Sequence, residues 1–497
     1  MENYSADFSQ DSFKALKARL KRKQRQHNAF KARGFAPSFW RKVKAVCITV
    51  GVLVVLFCVA QGITVWRVLY PQEPEPLTDV QQEELKAALD KRYHEREQLV
   101  HPLPYKTVPS SMQVYAGAAV LIDAATGDVL FEKNADQKIP PASLTKLVEM
   151  YVVFEAVASG EVALDDLVPL PPESWAVNLP ADASIMFLEQ GQRVTLRELL
   201  LGLAVASGND ASVAVAHYVA GSMDSFVERM NQTVRSLGLS NTFFVESSGY
   251  SEQNYTTARE FAAFCRAYVE HFPFALKEFH SQRTLEYPKP KNLPRGVSRE
   301  ESPPVVQRNT NKLLGTLEGC DGLKTGFIYE SGYNIALTAE RDGARYISVT
   351  MRGPGSGSAE GNIYRVKDGT ALMEFAFQAF YPYKASEAHE FTVPVLGSSQ
   401  KSVHLVPALD EAFSVPFIAG ESPKAAAAMV SVEAILPDCV RGPFNAGEEA
   451  GEIKFSLNGT VLNTIPLVTD RSGERVSLPV RLWHKVAHKI SRLFRKS

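Results

Sequence analysis

The sequence predicts an α+β protein in which helices pack on one antiparallel sheet, followed by a small β-sandwich domain and a C-terminal amphipathic helix. Strand-like segments stand before and after a long helical stretch, which favours one sheet assembled from distant parts of the chain. From about residue 385 the pattern changes to short alternating runs broken by Gly, Pro and Asn. At 497 residues the chain is too long for one ordinary core, so two globular units are expected.

The elements of the first unit follow from local signals. Apolar runs at 114–121 and 129–131 flank a turn cluster and predict a hairpin. Helices are predicted at 142–158, from Thr195 with Glu198 in capping-box position, at 210–219 and at 222–237. Strands return at 335–338 and 346–351, with Arg341-Asp342-Gly343 as the turn between them.

The N-terminal region predicts a membrane anchor. Residues 45–66 form a run of 22 uncharged residues, which is enough helix to cross a hydrocarbon core of roughly 30 Å. The preceding 44 residues hold twelve Lys or Arg and three acids, which places the N-terminus in the cytoplasm. We therefore expect a single-pass protein of the cytoplasmic membrane with its bulk on the outer, periplasmic side. A cleaved signal peptide or a lipoprotein anchored through Cys58 is the alternative.

Metals, cofactors and nucleic acids are not expected. No Cys/His cluster has metal-ligand spacing, and no glycine-rich phosphate loop follows a strand. The three cysteines beyond the predicted anchor allow at most one disulfide. The net charge is −1, and the basic residues gather at the two ends of the chain, where contact with anionic lipid is the simpler interpretation.

Three short motifs indicate where the chemistry lies. They are Ser143-Leu144-Thr145-Lys146, Ser207-Gly208-Asn209 and Lys324-Thr325-Gly326. None is informative alone, because a second Ser-x-x-Lys begins at Ser398 and a second Ser-x-Asn at Ser456. The order and flanking residues of the first copies, and a single Lys-Thr-Gly in the whole chain, raise them above chance.

The first motif predicts a nucleophile and its base. Residues three apart at the start of a helix share one face, so the amine of Lys146 can take the proton of the Ser143 hydroxyl. The amine must be largely neutral to do so, and burial together with a neighbouring cation, Lys324, would lower its pKa. Read alone, Ser143 is more often a helix N-cap.

The other two motifs predict substrate contacts. Ser207 could relay a proton to a leaving amine, and Asn209 could bind a substrate amide. We expect Lys324-Thr325-Gly326 on an edge strand, where its first two side chains bind a terminal carboxylate and its glycine leaves room for a peptide. The amides of Phe327 and Ser143 would form an oxyanion hole.

The stretch from Val114 to Tyr381 resembles the D-alanyl-D-alanine carboxypeptidases among the low-molecular-mass penicillin-binding proteins. Further matching pieces are Ala124-Ala125-Thr126-Gly127, Pro141-Ala142, Asp210-Ala211, Asn309-Thr310-Asn311-Lys312-Leu313-Leu314, Asp321-Gly322-Leu323 and Ser331-Gly332-Tyr333. The chain from about Glu387 resembles that family's C-terminal β-domain, which an amphipathic membrane helix follows. The resemblance implies a penicillin-binding, β-lactamase-like transpeptidase fold.

The resemblance also implies an activity. A serine D,D-carboxypeptidase would remove the terminal D-alanine of peptidoglycan stem pentapeptides through an acyl-enzyme, and β-lactam antibiotics would acylate the same serine. It assigns catalysis to Ser143, Lys146, Ser207 and Asn209, and substrate binding to Lys324, Thr325, Gly326 and Phe327. A β-lactamase, a D,D-endopeptidase or a non-catalytic membrane-tethered wall-binding protein stays an alternative.

Three features depart from the family pattern. Ile328 stands where a hydroxyl residue is common, and the long basic N-terminus is unusual. Glu246 replaces a different residue; a carboxylate there could activate water for deacylation, although an ordinary solvated loop glutamate is the commoner case.

The predicted organisation combines these observations. The last segment has six Lys or Arg, no acid and one apolar stripe, so we expect it on a membrane surface rather than docked on the β-domain. The segments are a basic cytoplasmic region 1–44, a transmembrane anchor 45–68, a stalk or linker 69–112, a D,D-peptidase catalytic domain 113–384, a β-sandwich 385–479 and an amphipathic membrane-surface helix 480–497.

Overall fold

The computed structural model describes residues 71–107, 111–417 and 422–495. The strands of its larger domain are β1 (His101–Pro102), β2 (Ala118–Asp123), β3 (Asp128–Lys133), β4 (Leu167–Val168), β5 (Val194–Thr195), β6 (Thr284–Tyr287), β7 (Val305–Arg308), β8 (Cys320–Ile328), β9 (Gly332–Arg341) and β10 (Ala344–Gly353). Six of them form one sheet in the order β1-β3-β2-β10-β9-β8. Neighbouring strands are antiparallel except β1 and β3, which confirms the predicted α+β class.

The first helix, α1 (Asp79–Arg92), lies apart from this sheet. Helices cover both faces of the sheet, and they are α2 (Thr145–Ala158), α3 (Leu196–Leu201), α4 (Asn209–Ala220), α5 (Met223–Ser236), α6 (Ala258–His271) and α7 (Ser358–Ala379). Val120 and Ile122 of β2 join the core formed with α2 to α6, whereas Ala119 and Leu121 join a second core beneath α7. Alternate residues of a strand point to opposite faces, so this central strand is apolar throughout.

The predicted local signals are confirmed. Thr195 and Glu198 form a capping box at the start of α3, and the predicted hairpin is β2 and β3. The helix predicted from residue 142 begins as a 3-10 turn, Ala142–Leu144, before α2.

A second, smaller domain follows α7. It contains β11 (Phe380–Lys384), β12 (Phe391–Leu396), β13 (Ser402–Pro407), β14 (Ala412–Pro416), α8 (Pro423–Ala428), β15 (Ser431–Ile435), β16 (Val440–Arg441), β17 (Glu449–Leu457) and β18 (Thr460–Thr469). Six strands form a sheet in the order β15-β17-β18-β13-β12-β16, and β11 pairs with β14. This pairing places β11 with the β-rich domain, ahead of the boundary predicted at 385.

A buried polar cluster joins the two domains. The main-chain N–H of Ser414 on β14 donates to Asp128 at 2.5 Å, and its hydroxyl donates to Asp123 at 3.0 Å. The hydroxyl of Tyr105 donates to the Ser414 carbonyl at 2.5 Å. Because buried carboxylates need such partners, these bonds hold the β2–β3 turn against the second domain.

The segment predicted as a stalk packs on the second domain. Leu89 and Tyr93 are buried with Ala408 and Val468, and the Tyr93 hydroxyl donates to Glu449 at 2.5 Å. Beyond α1 the chain adds β1 to the main sheet. Leu89 and Tyr93 are four residues apart and so lie on the same face of the helix, as apolar residues that pack on a core usually do. The many charged residues of the segment make this pattern hard to recognise in the sequence.

The two ends of the chain differ in what the structure describes. The basic segment 1–44 and the predicted anchor 45–68 lie outside the described residues, and no helix within the described part is long and apolar enough to cross a membrane. The C-terminal helix α9 (Leu478–Arg495) is present. The ring nitrogen Nδ1 of His484 accepts the N–H of Gly397 at 2.9 Å, so this helix touches the end of β12.

We predict that Leu89→Ala lowers the free energy of unfolding by about 2–3 kcal/mol, because it leaves a cavity between α1 and the second domain. Val80→Ala, on the same helix but 69% exposed, should change stability by less than about 0.5 kcal/mol. Urea denaturation monitors both variants. Equal, negligible effects would show that α1 does not dock.

Candidate active site

Ser143 lies on a strained turn. It belongs to the 3-10 turn Ala142–Leu144 that leads directly into α2. Ala142 has a φ of 52°, in a left-handed region that costs an L-residue roughly 1–3 kcal/mol. A Cβ on the neighbouring Gly249 would lie 1.9 Å from the carbonyl oxygen of Ala142 and 2.8 Å from the amide nitrogen of Ser143. The packed turn holds Ser143 at the N-terminus of α2, where the helix dipole favours a developing negative charge.

Lys146 is fully buried one turn into α2 and contacts three polar groups. Its amine donates to the Ser143 hydroxyl at 3.3 Å, to Oδ1 of Asn209 at 2.7 Å and to the carbonyl of Ser248 at 2.5 Å. Burial lowers the pKa of this amine from 10.5 to about 8, and nearby carboxylates oppose the shift. A neutral fraction is therefore available near physiological pH to accept the hydroxyl proton.

The motif Ser207-Gly208-Asn209 lies on the turn before α4, as predicted. Ser207 has a φ of 60° and ends a short π-helix, and Asn209 begins α4. The N–H of Asn209 donates to the carbonyl of Ser184 at 2.7 Å. The buried carboxylate of Asp210 accepts main-chain N–H groups of Met186 and Leu188 at 2.9 and 3.0 Å. These bonds fix the turn that presents Asn209 to Lys146.

Lys324 is the second buried lysine of the cleft. Its amine donates to the Ser207 hydroxyl at 3.0 Å and to the carbonyl of Thr325 at 2.9 Å. Burial, and then the charges of Lys146 and Arg365, lower its pKa well below 10.5. Burial together with Lys324 was predicted to lower the pKa of Lys146; in the structure burial is the main cause at both amines, and the charge of Lys146 further lowers the pKa of Lys324.

The strand β8, which carries Lys324-Thr325-Gly326, is the edge of the sheet, as predicted. A Cβ on Gly326 would lie 2.7 Å from the carbonyl oxygen of Pro141 and 2.9 Å from the amide nitrogen of Ser143. The glycine was predicted to make room for a peptide; in the structure it is the Ser143 turn that requires it, because a side chain would push that turn away.

The neighbours of Gly326 have different surroundings. The Thr325 hydroxyl donates to the hydroxyl of Thr310 at 2.7 Å. Phe327 is 36% exposed, and its ring stacks on Tyr333 with 4.4 Å between centroids.

The structure brings all eight predicted residues to one place, where the strand edge meets the N-terminus of α2. The oxyanion hole from the amides of Phe327 and Ser143 stays a prediction.

Two buried residues that sequence reasoning missed hold this arrangement together. The amide of Asn334 on β9 donates to the carbonyls of Pro140 and Pro141 at 3.0 and 3.1 Å. Arg365 of α7 donates to the carbonyls of Gly326 and Asn334. Asn334 thus connects β9 to the chain just before Ser143, and Arg365 connects α7 to β9 and to the edge strand β8. The only sequence signal was an Asn next to an apolar strand and an Arg on a helix, which is too common to single out.

Glu246 has a structural role. Its carboxylate accepts the N–H and hydroxyl of Ser248 at 2.7 and 2.6 Å, the N–H of Gly249 at 2.7 Å and the side-chain amide of Asn254 at 2.8 Å. These bonds hold the loop whose Ser248 carbonyl accepts from Lys146. Glu246 is therefore not an ordinary solvated glutamate, and with its oxygens so engaged it is poorly placed to activate water.

The fold and the site define a class of protein. A serine and a lysine on the first turn of a helix, beside a Ser-x-Asn turn and a Lys-Thr-Gly edge strand, are typical of serine acyl-enzymes of the penicillin-binding and β-lactamase class. The family profile described as D-alanyl-D-alanine carboxypeptidase matches residues 105–355, and that of the penicillin-binding protein 5 C-terminal domain matches residues 377–475.

Individual proteins agree with these profiles. D-alanyl-D-alanine carboxypeptidase DacC of Escherichia coli is 32% identical over 390 residues, which cover 77% of this chain and 90% of that protein. The structure of penicillin-binding protein 5 from Haemophilus influenzae has a TM-score of 0.60 at 28% identity, covering 74% of this chain and all of that one. A D-alanyl-D-alanine endopeptidase of Pseudomonas aeruginosa is 28% identical over 239 residues, covering 48% of this chain and 71% of that protein.

The chain belongs to the D-alanyl-D-alanine carboxypeptidase family. It is accordingly a serine D,D-carboxypeptidase, with the predicted catalytic domain followed by the predicted C-terminal β-domain.

We predict that Gly249→Ala lowers the rate of acylation by about 100-fold, because the added Cβ displaces the Ser143 turn. Gly160→Ala is the matched control: Gly160 also has a left-handed φ, but a Cβ there meets nothing within 4 Å. The control should lose only the 1–2 kcal/mol or so of stability expected from backbone strain. Stopped-flow acylation by a chromogenic β-lactam measures both. An equal loss of activity would contradict the packing argument.

Proposed function

We propose that Ser143 is the nucleophile of the D,D-carboxypeptidase reaction and that Lys146 is its general base. The observation that carries the proposal is the 3.3 Å contact between the two groups, made by an amine with a pKa of about 8. Lys146 takes the hydroxyl proton as the Ser143 oxygen attacks the peptide carbonyl. The peptide bond breaks, the leaving amine receives a proton through Ser207, and water later hydrolyses the ester.

The substrate that we propose is a peptidoglycan stem pentapeptide ending in D-Ala-D-Ala, and β-lactam antibiotics would acylate the same serine. Lys324 and Thr325 would bind the terminal carboxylate. Lys324 has no carboxylate among its hydrogen-bond partners in the described structure, so a bound carboxylate would supply the counter-charge and raise its pKa. Asn209 would position the peptide, and the edge of β8 at Gly326 and Phe327 would pair with its backbone.

We predict that Ser143→Ala abolishes both labelling by a fluorescent penicillin and release of D-alanine from a pentapeptide analogue. Ser398→Ala, in the second Ser-x-x-Lys of the chain, should keep both activities, because Ser398 lies in the β-domain. Gel fluorescence and an amino-acid assay measure the two outcomes. Labelling of Ser143→Ala would refute the nucleophile. Rapid penicillin turnover without D-alanine release would indicate a β-lactamase instead.

A D,D-endopeptidase activity is the second candidate, because the similar Pseudomonas aeruginosa protein carries that name. The same edge of β8 could accept the longer chain of a cross-linked peptide. Purified cross-linked muropeptides, assayed beside the pentapeptide, separate the two activities.

We further propose that the segment 45–68 anchors the chain in the cytoplasmic membrane, with the catalytic domain on the periplasmic side and α9 on the membrane surface. The uncharged run and its basic N-terminal flank support the anchor. In the first half of α9, Leu478, Leu482 and Val486 recur every four residues and expose 66, 55 and 48% of their surface. An apolar row of this kind beside basic residues suits a lipid headgroup region.

We predict that the protein lacking residues 1–70 binds vesicles containing anionic phospholipid in a salt-sensitive manner, and that further removal of residues 480–497 abolishes this binding. The attraction of basic residues to anionic lipid is screened by salt, which gives the expected dependence. Vesicle co-sedimentation measures it. Equal binding without residues 480–497 would refute the role of α9.

A further inference from the structure

A buried acid with no described role lies one turn beyond the proposed base. Glu149 follows Lys146 by three residues on α2, so the two side chains share one face of the helix. Glu149 is fully buried, and neither oxygen of its carboxyl group has a hydrogen-bond partner among the described residues. The nearby hydroxyl of Ser212 on α4 shares a hydrogen bond of 2.6 Å with the hydroxyl of Ser247, in which either oxygen can be the donor.

This environment disfavours the ionised form of Glu149. A carboxylate without hydrogen bonds in a protein interior is far more costly than a neutral carboxylic acid. Burial accordingly raises the pKa of Glu149 to about 8, although the charge of Lys146 and the nearby Ser212 hydroxyl oppose the shift. Ionisation of Glu149 would in turn raise the pKa of Lys146, and the two groups therefore titrate as a coupled pair.

The other charged groups around Lys146 are differently placed. Glu246, from the loop, and Asp210, from α4, also raise the pKa of Lys146. Both have their carboxylate oxygens bonded to main-chain N–H groups, at 2.7 to 3.0 Å for the bonds already described. Lys324, from β8, faces Lys146 as a like charge. Of the three carboxyl groups, Glu149 is thus the one without a main-chain N–H donor in the described structure.

We propose that Glu149 is a positioning residue for the reaction, which shares one titrating proton with Lys146 and thereby sets the pH at which Lys146 becomes a base. The inference rests on the proposed role of Lys146. When the Ser143 oxygen attacks, its proton moves to the Lys146 amine and from there, through Ser207, to the leaving group. The amine is ready for this step when the shared proton lies on Glu149; when Glu149 is ionised, the proton stays on Lys146 and a higher pH is needed to remove it.

The test is the pH dependence of the second-order rate of acylation by a chromogenic β-lactam, in the wild type, Glu149→Gln and Glu155→Gln. Wild-type acylation should fall at low pH as Lys146 becomes protonated. Glu149→Gln removes a group that raises the pKa of Lys146, so this fall should move to lower pH by about one unit. One unit below the wild-type midpoint, the variant should keep about half of its plateau rate and the wild type about a tenth. Glu155→Gln, an exposed change on the same helix, should not move the midpoint.

The possible outcomes separate the claims. An unchanged midpoint in Glu149→Gln, with only a lower plateau rate or lower thermal stability, would overturn the inference and leave Glu149 a packing residue. A wild type without any fall at low pH would overturn the role of Lys146 as base and the inference with it. If Glu149→Gln fails to fold, Glu149→Met carries the same test, because an unbranched apolar side chain adapts well to a buried position.

Discussion

Two lysine amines buried in one cleft are the constraint on which the rest of this site depends. Their hydrogen bonds go to neutral groups: Asn209 and Ser248 accept from Lys146, while Ser207 and a main-chain carbonyl accept from Lys324. Burial without a bonded carboxylate costs several kcal/mol for a charged amine, which favours the neutral form. The same burial that destabilises the folded site supplies a lysine that can act as a base.

The fold makes this burial possible by bringing three distant elements together. The first turn of α2, the turn before α4 and the edge strand β8 each contribute one motif. The three elements must approach one another closely at the site. This requires strained, left-handed backbone at Ala142 and Ser207 and a residue without a side chain at Gly326. Asn334 and Arg365 donate to main-chain carbonyls at this junction and hold its parts together.

Local signals in the sequence were sufficient for the elements and the motif residues. The capping box at Thr195 and the turn residues at 341–343 determine only the backbone next to them in the chain, so they could be recognised without a structure. The docking of Leu89, the bonds of Asn334 and the loop held by Glu246 could not be predicted, because their partners are chosen by packing. In the sequence, Glu149 is a polar residue in a largely apolar helix. Its complete burial near Lys146 is visible only in the structure.

The most direct test of the account is the titration of the lysine side chains by NMR, in protein labelled with ¹³C at the lysine ε-carbon. Lys146→Arg and Lys324→Arg variants would assign the two resonances. We predict that Lys146 titrates with a pKa of about 8 and that Lys324 titrates well below 10.5. If both buried lysines titrated near 10.5, the central claim that burial supplies the base would be contradicted.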